Sequence, residues 1–264
     1  MFIYPNAKIN IGLNIISKRN DGFHNIESCF CPISLQDIIE FKPSNNTIFT
    51  ISGISIPGNL NDNLILQTIK KFNPKTNYKI HLHKKIPIGS GLGGGSSNAA
   101  FLLKYINNKK MSKNELINFS KKIGSDCPFF IENKNKYVFG KGDKMEDINI
   151  DLNDKKIIII IPEESISTID AYNNIKPKKP KFKLKEILEN EPLEKWKNFV
   201  KNDFENYAFS KIKELKDIKN YIYNLDAQFV SMTGSGSAVY GIFNKNINTS
   251  DNTKYNLITS KIIS

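Results

Sequence analysis

The sequence predicts an α+β protein of two domains, which we place at residues 1–152 and 153–264. Three observations support this prediction. The first half carries short β-rich segments between turn signals and then changes to helical spacing. The run from Lys156 to Pro162 is too β-branched for a surface helix and too short for a membrane helix, so it opens the second half as a buried strand. Helical segments and a closing pair of strands follow, as in α+β domains of the ferredoxin-like kind.

Clusters of β-branched and aromatic residues predict the strands of the first half, and apolar residues at helical spacing predict its helices. Ser112 is a good N-cap for one of these helices, because Glu115 follows three residues later. A hairpin from Tyr137 to Met145 closes this half. We expect strands over 8–16, 24–32, 37–42, 47–52 and 78–83, and helices over 63–72, 97–106 and 112–123.

The second half begins with one buried strand, continues with helices and ends with strands. Its glycine-rich turn predicts a hairpin, since two apolar β-rich segments flank it. We expect helices over 181–189, 194–202 and 210–225, and paired strands over 229–232 and 238–243.

Composition bounds the class of protein. A chain of 264 residues with 39% hydrophobic residues can bury a sizeable core. Cys29, Cys31 and Cys127 make an odd count without metal-ligand spacing, which favours buried, reduced thiols in a cytoplasmic protein over a disulfide or a metal site. No apolar run approaches the roughly 20 residues of a membrane span, and the first residues lack the charge pattern of a signal peptide. We therefore expect no membrane partner.

The net charge of +12 attracts phosphates of any kind, which raises the question of a nucleic-acid partner. The lysines are spread along the chain, and Arg19 is its one arginine. Nucleic-acid readers usually combine arginine forks with interleaved aromatic residues, a pattern that this sequence lacks. We expect no nucleic-acid partner, and the basic run from Lys176 to Lys181 is interpreted as a solvated loop.

The segment from Pro87 to Ala100 packs five glycines and three serines before an apolar helical run. Glycines let successive N–H groups turn inward, and a helix that starts near Ser97 would add its positive end, so the segment predicts a phosphate cradle. The serine hydroxyls are candidate donors to phosphate or ligands of Mg²⁺. A flexible linker is the alternative, but a strand ending at Lys84 and a helix bracket the segment. The pattern is neither the P-loop nor the dinucleotide fingerprint.

The pattern P-x-G-x-G-L-G-G-G-S-S-N-A resembles the ATP-binding motif of the galactokinase, homoserine kinase, mevalonate kinase and phosphomevalonate kinase superfamily. Within it, the segments Pro5–Asn14 and Arg19–His24 resemble the 4-diphosphocytidyl-2-C-methyl-D-erythritol kinase family. The resemblance extends from about residue 4 to residue 243. Further segments that match in order are Asp62–Leu64, Ile123–Phe130, Asn202–Glu205 and Met232–Ala238.

This resemblance implies a kinase fold with an N-terminal mixed α/β nucleotide domain, a C-terminal ferredoxin-like domain and an active site in the cleft between them. It implies transfer of a phosphoryl group from ATP to the 2-hydroxyl of 4-diphosphocytidyl-2-C-methyl-D-erythritol, in the methylerythritol phosphate route to isoprenoid precursors. We expect small-molecule partners only and a monomer or weak homodimer. One alternative is a homoserine or mevalonate kinase, which would share the glycine segment but not the segments Asn6–Asn10 and Asp21–His24. The other is a non-catalytic nucleotide-binding protein.

Two residues are candidates for catalysis. Asp126 lies on a turn fixed by Gly124 and Pro128, where the alternative is a carboxylate that merely caps the turn. Lys8 lies in an apolar strand and is costly to bury without an opposite charge, the alternative being a lysine that reaches the surface. The resemblance implies that Asp126 is catalytic and that Lys8 pairs with it. Whether Asp126 removes the proton or positions the hydroxyl stays open.

For ATP, the resemblance implies that the glycine segment binds the phosphates, with Asn63 and Lys84 near the adenine and ribose. No carboxylate cage is visible in the sequence, so we expect Mg²⁺ to be held mainly by the phosphates and assign it no ligand residue. The residues expected to wrap the phosphates are Pro87, Ile88, Gly89, Ser90, Gly91, Leu92, Gly93, Gly94, Gly95, Ser96 and Ser97.

For the cytidine substrate, the resemblance places Asn10 and His24 at the substrate end, with Phe23 and Tyr172 on either side of the ring and Thr168 near the diphosphate. Phe23 replaces a more usual tyrosine and Tyr172 a frequent phenylalanine, so stacking is kept. A second glycine motif is expected to cover the substrate side of the transferred phosphate, although a plain hairpin turn is the alternative. Its residues are Thr233, Gly234, Ser235 and Gly236.

Overall fold

The computed structural model describes residues 1–72, 75–244 and 254–263, so residues 245–253 and 264 of the predicted second domain lie outside the described residues. The strands β1 to β12 are Phe2–Ile3, Asn6–Lys18, His24–Gln36, Ile38–Ser44, Ile48–Gly53, Asn77–Lys84, Lys136–Gly140, Lys144–Asp147, Lys156–Ile160, Phe229–Met232, Val239–Phe243 and Ile258–Lys261. The helices α1 to α8 are Leu64–Phe72, Gly94–Asn107, Lys113–Ser120, Cys127–Glu132, Thr168–Asn173, Leu184–Asn190, Glu205–Lys211 and Glu214–Asn224. Two 3₁₀ turns span Leu60–Asp62 and Leu193–Asn198.

The chain divides into two compact units that do not follow its two halves. Unit 1 consists of Met1–Ala7, Leu35–Ile88 and Gly93–Lys134, and unit 2 of Lys8–Ser34, Gly89–Leu92 and Asn135–Ser264. Most of β2 and β3 therefore groups with the C-terminal part of the chain. The domain division at residues 152 and 153 stays a prediction.

Unit 1 is built on a four-stranded sheet in the order β1-β4-β6-β5, in which β5 runs parallel to β6 and β4 antiparallel to it. Helix α2 packs against α1 and α4. The capping box predicted for α3 is confirmed, since the Ser112 hydroxyl accepts from the N–H of Glu115 and the Glu115 carboxylate accepts from the N–H of Ser112. The buried core consists of Ile3, Ile39, Phe41, Ile65, Ile69, Ile80, Leu82, Leu102 and Ile106.

Unit 2 contains two four-stranded sheets, in the orders β2-β3-β7-β8 and β10-β11-β9-β12. The predicted buried isoleucine strand is β9, which pairs antiparallel with β11 and with β12. Helix α8 covers β10 and β11. Its Ile218 and Ile222 join β9 in the core, together with Leu215, Val230, Met232, Val239 and Phe243. The predicted α+β class is thereby confirmed.

Several element predictions were wrong at the level of boundaries. Helix α2 begins at Gly94, not near Ser97, because Gly93 supplies the left-handed residue that precedes it. The predicted helix over 194–202 is a 3₁₀ turn, and the helix over 210–225 is two helices separated by the extended backbone of Ile212. Helices α4 and α5 were not predicted. In the described ranges, no helix is long and apolar enough to cross a membrane.

Candidate active site

The glycine segment turns sharply before α2. Gly89, Gly91 and Gly93 have φ values of 67°, 79° and 73°, a region that only glycine adopts freely. Gly93 occupies the N-cap position without a side-chain cap, so the first N–H groups of α2 have no acceptor within the helix. Together with the positive end of the helix, these donors suit an anion. The geometry of α2 therefore supports the predicted phosphate cradle.

Ser97 has a different environment from the one its sequence position suggests. Its side chain is buried, and its hydroxyl donates to the carbonyl of Asn6 at 2.6 Å. Its N–H donates to the carbonyl of Gly93 at 2.9 Å. Both donors of Ser97 are thus occupied inside unit 1. The role that these bonds give Ser97 is structural, since they stabilise the first turn of α2. The half-buried Ser96 remains the serine of this turn available for an anion.

A buried ion pair lies beneath the first turn of α2. The ammonium of Lys84, only 4% exposed, donates to Oδ2 of Asp37 at 2.6 Å, and Asp37 is fully buried. The other carboxylate oxygen accepts from the N–H groups of Lys85 and Ile86 at 2.7 and 2.8 Å. A Cβ added to Gly94 would lie 2.9 Å from Lys84 Nζ, which places the charge at the cradle. Burial lowers the pKa of Lys84 below its ordinary value, although Asp37 opposes the shift.

Sequence reasoning predicted Lys84 as a nucleotide-binding residue but missed Asp37. A signal was present: a lysine that ends a buried strand needs an opposite charge, and Asp37 immediately precedes the neighbouring strand β4. Asn63, the other predicted nucleotide residue, immediately precedes α1, and its side-chain oxygen accepts from the N–H of Ile65 at 2.9 Å. Contact of Asn63 and Lys84 with the nucleotide stays a prediction.

Asp126 lies on a turn that packs against the same end of α2. A Cβ on Gly124 would lie 3.2 Å from Ser96 Oγ, and the Cys127 thiol lies 3.5 Å from the Ser96 carbonyl oxygen. Asp126 occupies the N-cap position of α4, but its side chain makes no capping hydrogen bond to that helix. Its carboxylate is half-buried and accepts from the Ser125 hydroxyl at 3.4 Å. The geometry therefore favours a carboxylate at the phosphate cradle over a simple turn cap.

Lys8 is buried in unit 2, so it is not a lysine that reaches the surface. Its ammonium donates to Oδ1 of Asn10 at 2.5 Å and lies 4.6 Å from the centre of the Phe30 ring. The Asn10 amide in turn donates to the Ser28 hydroxyl at 3.0 Å, and the backbone N–H of Asn10 donates to the Thr233 hydroxyl at 3.0 Å. These bonds fix the orientation of both predicted residues. The pairing of Lys8 with Asp126 stays a prediction.

The two glycine motifs touch within unit 2. A Cβ on Gly91 would lie 2.2 Å from the carbonyl oxygen of Thr233, so only glycine permits this approach. The Thr233 hydroxyl also donates to the Gly91 carbonyl at 3.3 Å. Asn202 fastens the second motif, because its amide donates to the carbonyls of Met232 and Gly234 at 2.8 Å each. Asn202 was matched as part of a family segment but was not assigned a site role.

The second glycine motif is the turn between β10 and β11. The N–H of Gly236 donates to the Thr233 carbonyl at 3.1 Å, as in a tight turn. The hydroxyls of Thr168 and Ser235 lie 2.9 Å apart, which links the start of α5 to this turn. The local hairpin interpretation therefore holds, and contact of the motif with phosphate stays a prediction.

Aromatic side chains gather where the substrate base was predicted. The rings of His24 and Tyr172 lie 5.2 Å apart at 30°, and Tyr172 packs edge-on against Phe204 at 4.9 Å. His24 is buried, and burial lowers the pKa of its imidazole below the ordinary value, with a further contribution from Lys18. Phe23 is 57% exposed. The structure thus brings His24 and Tyr172 together and leaves more than half of the Phe23 side chain exposed.

Comparison with known proteins defines the class. The family models "GHMP kinases N terminal domain" and "GHMP kinases C terminal" match residues 63–134 and 184–251. The fold is also similar to that of Methanococcus jannaschii mevalonate kinase, with a TM-score of 0.68 over 100% of this chain and 98% of the other at 16% identity. The chain is therefore a kinase with the predicted two-domain superfamily fold.

Closer relatives define the family. The 4-diphosphocytidyl-2-C-methyl-D-erythritol kinase of Cytophaga hutchinsonii is 44% identical over 92% of this chain and 93% of its own. That of Azobacteroides pseudotrichonymphae is 43% identical over 93% and 94%. A crystal structure of 4-(cytidine 5'-diphospho)-2C-methyl-D-erythritol kinase superposes with a TM-score of 0.75 at 26% identity, over 92% of this chain and 90% of the other. The chain belongs to the 4-diphosphocytidyl-2-C-methyl-D-erythritol kinase family.

Proposed function

We propose that this protein uses ATP to phosphorylate the 2-hydroxyl of 4-diphosphocytidyl-2-C-methyl-D-erythritol, giving the 2-phosphate and ADP for isoprenoid precursor synthesis. The observation that carries the proposal is the 44% identity, over 92% of the chain, with a relative named for this substrate. The packing of the Asp126 turn against the first turn of α2 supports it, since a carboxylate then accompanies the phosphate cradle.

The phosphates of ATP are bound by the backbone N–H groups of Gly94, Gly95 and Ser96, with the glycine segment from Pro87 to Gly93 around them. Lys84 adds a positive charge beneath this turn, and Asp37 holds it in place. Mg²⁺ prefers oxygen donors, and the Ser96 hydroxyl and Asp126 carboxylate are of that kind, so they fit a metal held mainly by the phosphates. When bound, Mg²⁺ neutralises charge on the phosphoryl group.

Asp126 accepts a hydrogen bond from the acceptor hydroxyl and holds its oxygen in line with the terminal phosphorus. The new O–P bond forms as the bond from phosphorus to the ADP oxygen breaks, and the hydroxyl proton passes to the carboxylate. Positioning is the larger contribution, because a loose transition state needs little help from a base. Lys8, whose ammonium is fixed by Asn10, orients Asp126 and offsets negative charge.

The cytidine group is recognised by stacking and by edge hydrogen bonds. Phe23 and Tyr172 take the two faces of the base, while His24 contacts its edge as a neutral imidazole. Thr168 lies beside the diphosphate. Asn10 and the motif Thr233, Gly234, Ser235 and Gly236 line the remainder of the substrate, with Gly91 in contact with Thr233.

We place the protein in the cytoplasm, as a monomer or weak homodimer whose partners are ATP and its acceptor. Its three cysteines are buried and form no disulfide bond, as in proteins of reducing compartments.

The test is ADP release by the purified protein with Mg-ATP and 4-diphosphocytidyl-2-C-methyl-D-erythritol. Parallel reactions contain homoserine, mevalonate or no acceptor. We expect release with the cytidine compound alone. Release with another acceptor would keep the phosphate cradle and overturn the assignment of His24, Phe23 and Tyr172. ATP binding without release in any tube would show a non-catalytic nucleotide-binding protein.

A further inference from the structure

Unit 2 contains a cavity of about 540 Å³ that the proposed reaction does not use. The basic run from Lys176 to Lys181, whose composition predicted a solvated loop, borders this cavity. Lys178, Lys179 and Lys181 of that run line the cavity, and Lys201 lines it from the chain preceding α7. None of the predicted catalytic, nucleotide or cytidine residues contributes to the lining. Its volume lies within the range of small-molecule sites, roughly 300 to 1,000 Å³.

The charge of this lining is strongly positive. Among the described residues, none of the four lysines forms an ion pair, whereas Lys183 and Lys185 nearby pair with Glu186 and Glu146. The one carboxylate in the lining is Asp203, whose Oδ2 already accepts from the backbone N–H of Ile15 at 2.7 Å. Burial raises the pKa of Asp203, although Lys201 and Lys178 oppose the shift. The lining therefore carries four lysines and one engaged carboxylate, an excess of positive charge that favours an anionic ligand.

Part of the lining is apolar and lies beside these lysines, since the ammonium of Lys181 is 5.3 Å from the centre of the Phe182 ring. Phe182 and Phe199 pack edge to face with their ring centres 5.3 Å apart, yet they are 45% and 36% exposed. Leu184 and Ile187 of α6 also line the cavity. Aromatic rings exposed beside a cavity offer apolar area to a ligand at low entropic cost. The site thus combines an apolar surface with unpaired positive charge.

The loop over the cavity is fastened to the fold. The N–H of Lys178 donates to the carbonyl of Ile15 on β2 at 2.9 Å, and Pro177 and Pro180 restrict the backbone on either side. On the strand itself, the Asn14 amide donates to buried Glu27 at 2.8 Å. A lining that is organised before binding loses less entropy when a ligand arrives. The basic run is therefore a wall of a formed cavity.

We propose that this cavity binds a phosphate or diphosphate ester whose organic part is aromatic or aliphatic. The lysines hold the phosphate oxygens, and the organic part lies on Phe182 and Phe199. This second site is separate from the residues assigned to ATP and the cytidine substrate, so the proposal does not depend on the proposed function.

The test uses the full chain, with phenyl phosphate, octyl phosphate and inorganic diphosphate as probes. Lysines are acetylated with and without each probe, and protection is read residue by residue by mass spectrometry. We expect at least one ester to protect Lys178, Lys179, Lys181 and Lys201, while Lys176 and Lys197 outside the lining react unchanged. The ester that protects identifies the organic part as aromatic or aliphatic.

Calorimetry with the protecting ester then compares matched charge changes. Lys178→Gln with Lys181→Gln should weaken binding by about tenfold or more, since each lysine supplies a charge-assisted contact. Lys176→Gln with Lys197→Gln removes the same charge outside the cavity and should leave affinity within about twofold. Phe199→Ala should weaken the ester and leave inorganic diphosphate unchanged. Protection by no probe, equal protection of Lys176 and Lys197, or diphosphate binding as tight as the ester would overturn the proposal.

Discussion

Asp37→Asn is the sharpest perturbation of the candidate nucleotide site, because it removes one charge and leaves shape unchanged. The carboxylate is fully buried and accepts three hydrogen bonds, at 2.6, 2.7 and 2.8 Å. Asparagine keeps an acceptor for the N–H groups of Lys85 and Ile86, but its amide NH₂ group is a donor and cannot accept the hydrogen bond from Lys84. The variant therefore leaves the buried ammonium of Lys84 without a counter-charge.

Breaking a buried pair on one side costs about 3–5 kcal/mol, so we expect a loss of about 3 kcal/mol in the free energy of unfolding. Urea unfolding measures it, with Glu40→Gln on the exposed side of β4 as the matched control. The control should change stability by less than about 0.5 kcal/mol. The KM for ATP should rise for Asp37→Asn, because Lys84 lies beneath the first turn of α2.

The pH dependence separates loss of the charge pair from general damage. Burial places the folded pKa of Lys84 below its unfolded value, and removal of Asp37 lowers it further. Between the two pKa values the unfolded chain binds more protons, so stability increases with pH in that window. The deficit of the variant should accordingly be largest near pH 7 and shrink as pH rises toward the ordinary lysine value of about 10.5.

The double variant Asp37→Asn with Lys84→Met removes both charges and should recover much of the stability, while ATP binding stays weak. A single variant within about 1 kcal/mol of the wild type, or a deficit that is the same at pH 7 and pH 9.5, would refute the ion-pair argument.

Four further outcomes test the assignments. Asp126→Asn should lower kcat by about 10² or more while the affinity for ATP is kept. The control Asp154→Asn, on an exposed turn, should leave kcat unchanged. If the two variants changed kcat equally, Asp126 would be removed from the mechanism. Phe23→Ala should raise the KM for the cytidine substrate more than that for ATP, in steady-state assays. Gly91→Ala combines a positive φ of 79° with a Cβ 2.2 Å from a carbonyl oxygen, so unfolding should show a loss of at least about 1 kcal/mol, and an unchanged midpoint would contradict that contact. Because the pKa of His24 is lowered, affinity for the cytidine substrate should hold at pH 7 and fall only below pH about 6.5, as titration calorimetry can show.

Local patterns allowed much of this fold to be predicted. The isoleucine run of β9, the capping box of α3 and the hairpin of β10 and β11 depend on neighbouring residues, and each was predicted close to its observed place. Helix α4 was missed because it has only six residues, too few to show a helical period. The break between α7 and α8 was missed because the apolar spacing continues through the extended residue Ile212.

The candidate site was harder to predict because its polar partners come from distant parts of the sequence. Lys84 meets Asp37 across 47 positions, and Asn10 meets Thr233 across 223. No spacing rule connects such residues. A family resemblance pointed to Lys84 and Asn10, but it did not supply the groups that hold them in place.

The lysines also show how little composition alone predicts about a side chain's function. The sequence distributes lysines so evenly that composition alone gives them one interpretation, a basic surface. The fold separates them by environment: Lys8 in unit 2 and Lys84 in unit 1 are each buried and held by hydrogen bonds. Lys178 and Lys201 instead line a cavity and form no ion pair among the described residues. A buried lysine must be compensated by its surroundings, whereas an uncompensated one in a formed cavity attracts an anion. Chemical function in this chain therefore follows from the environment of each lysine, which tertiary packing creates.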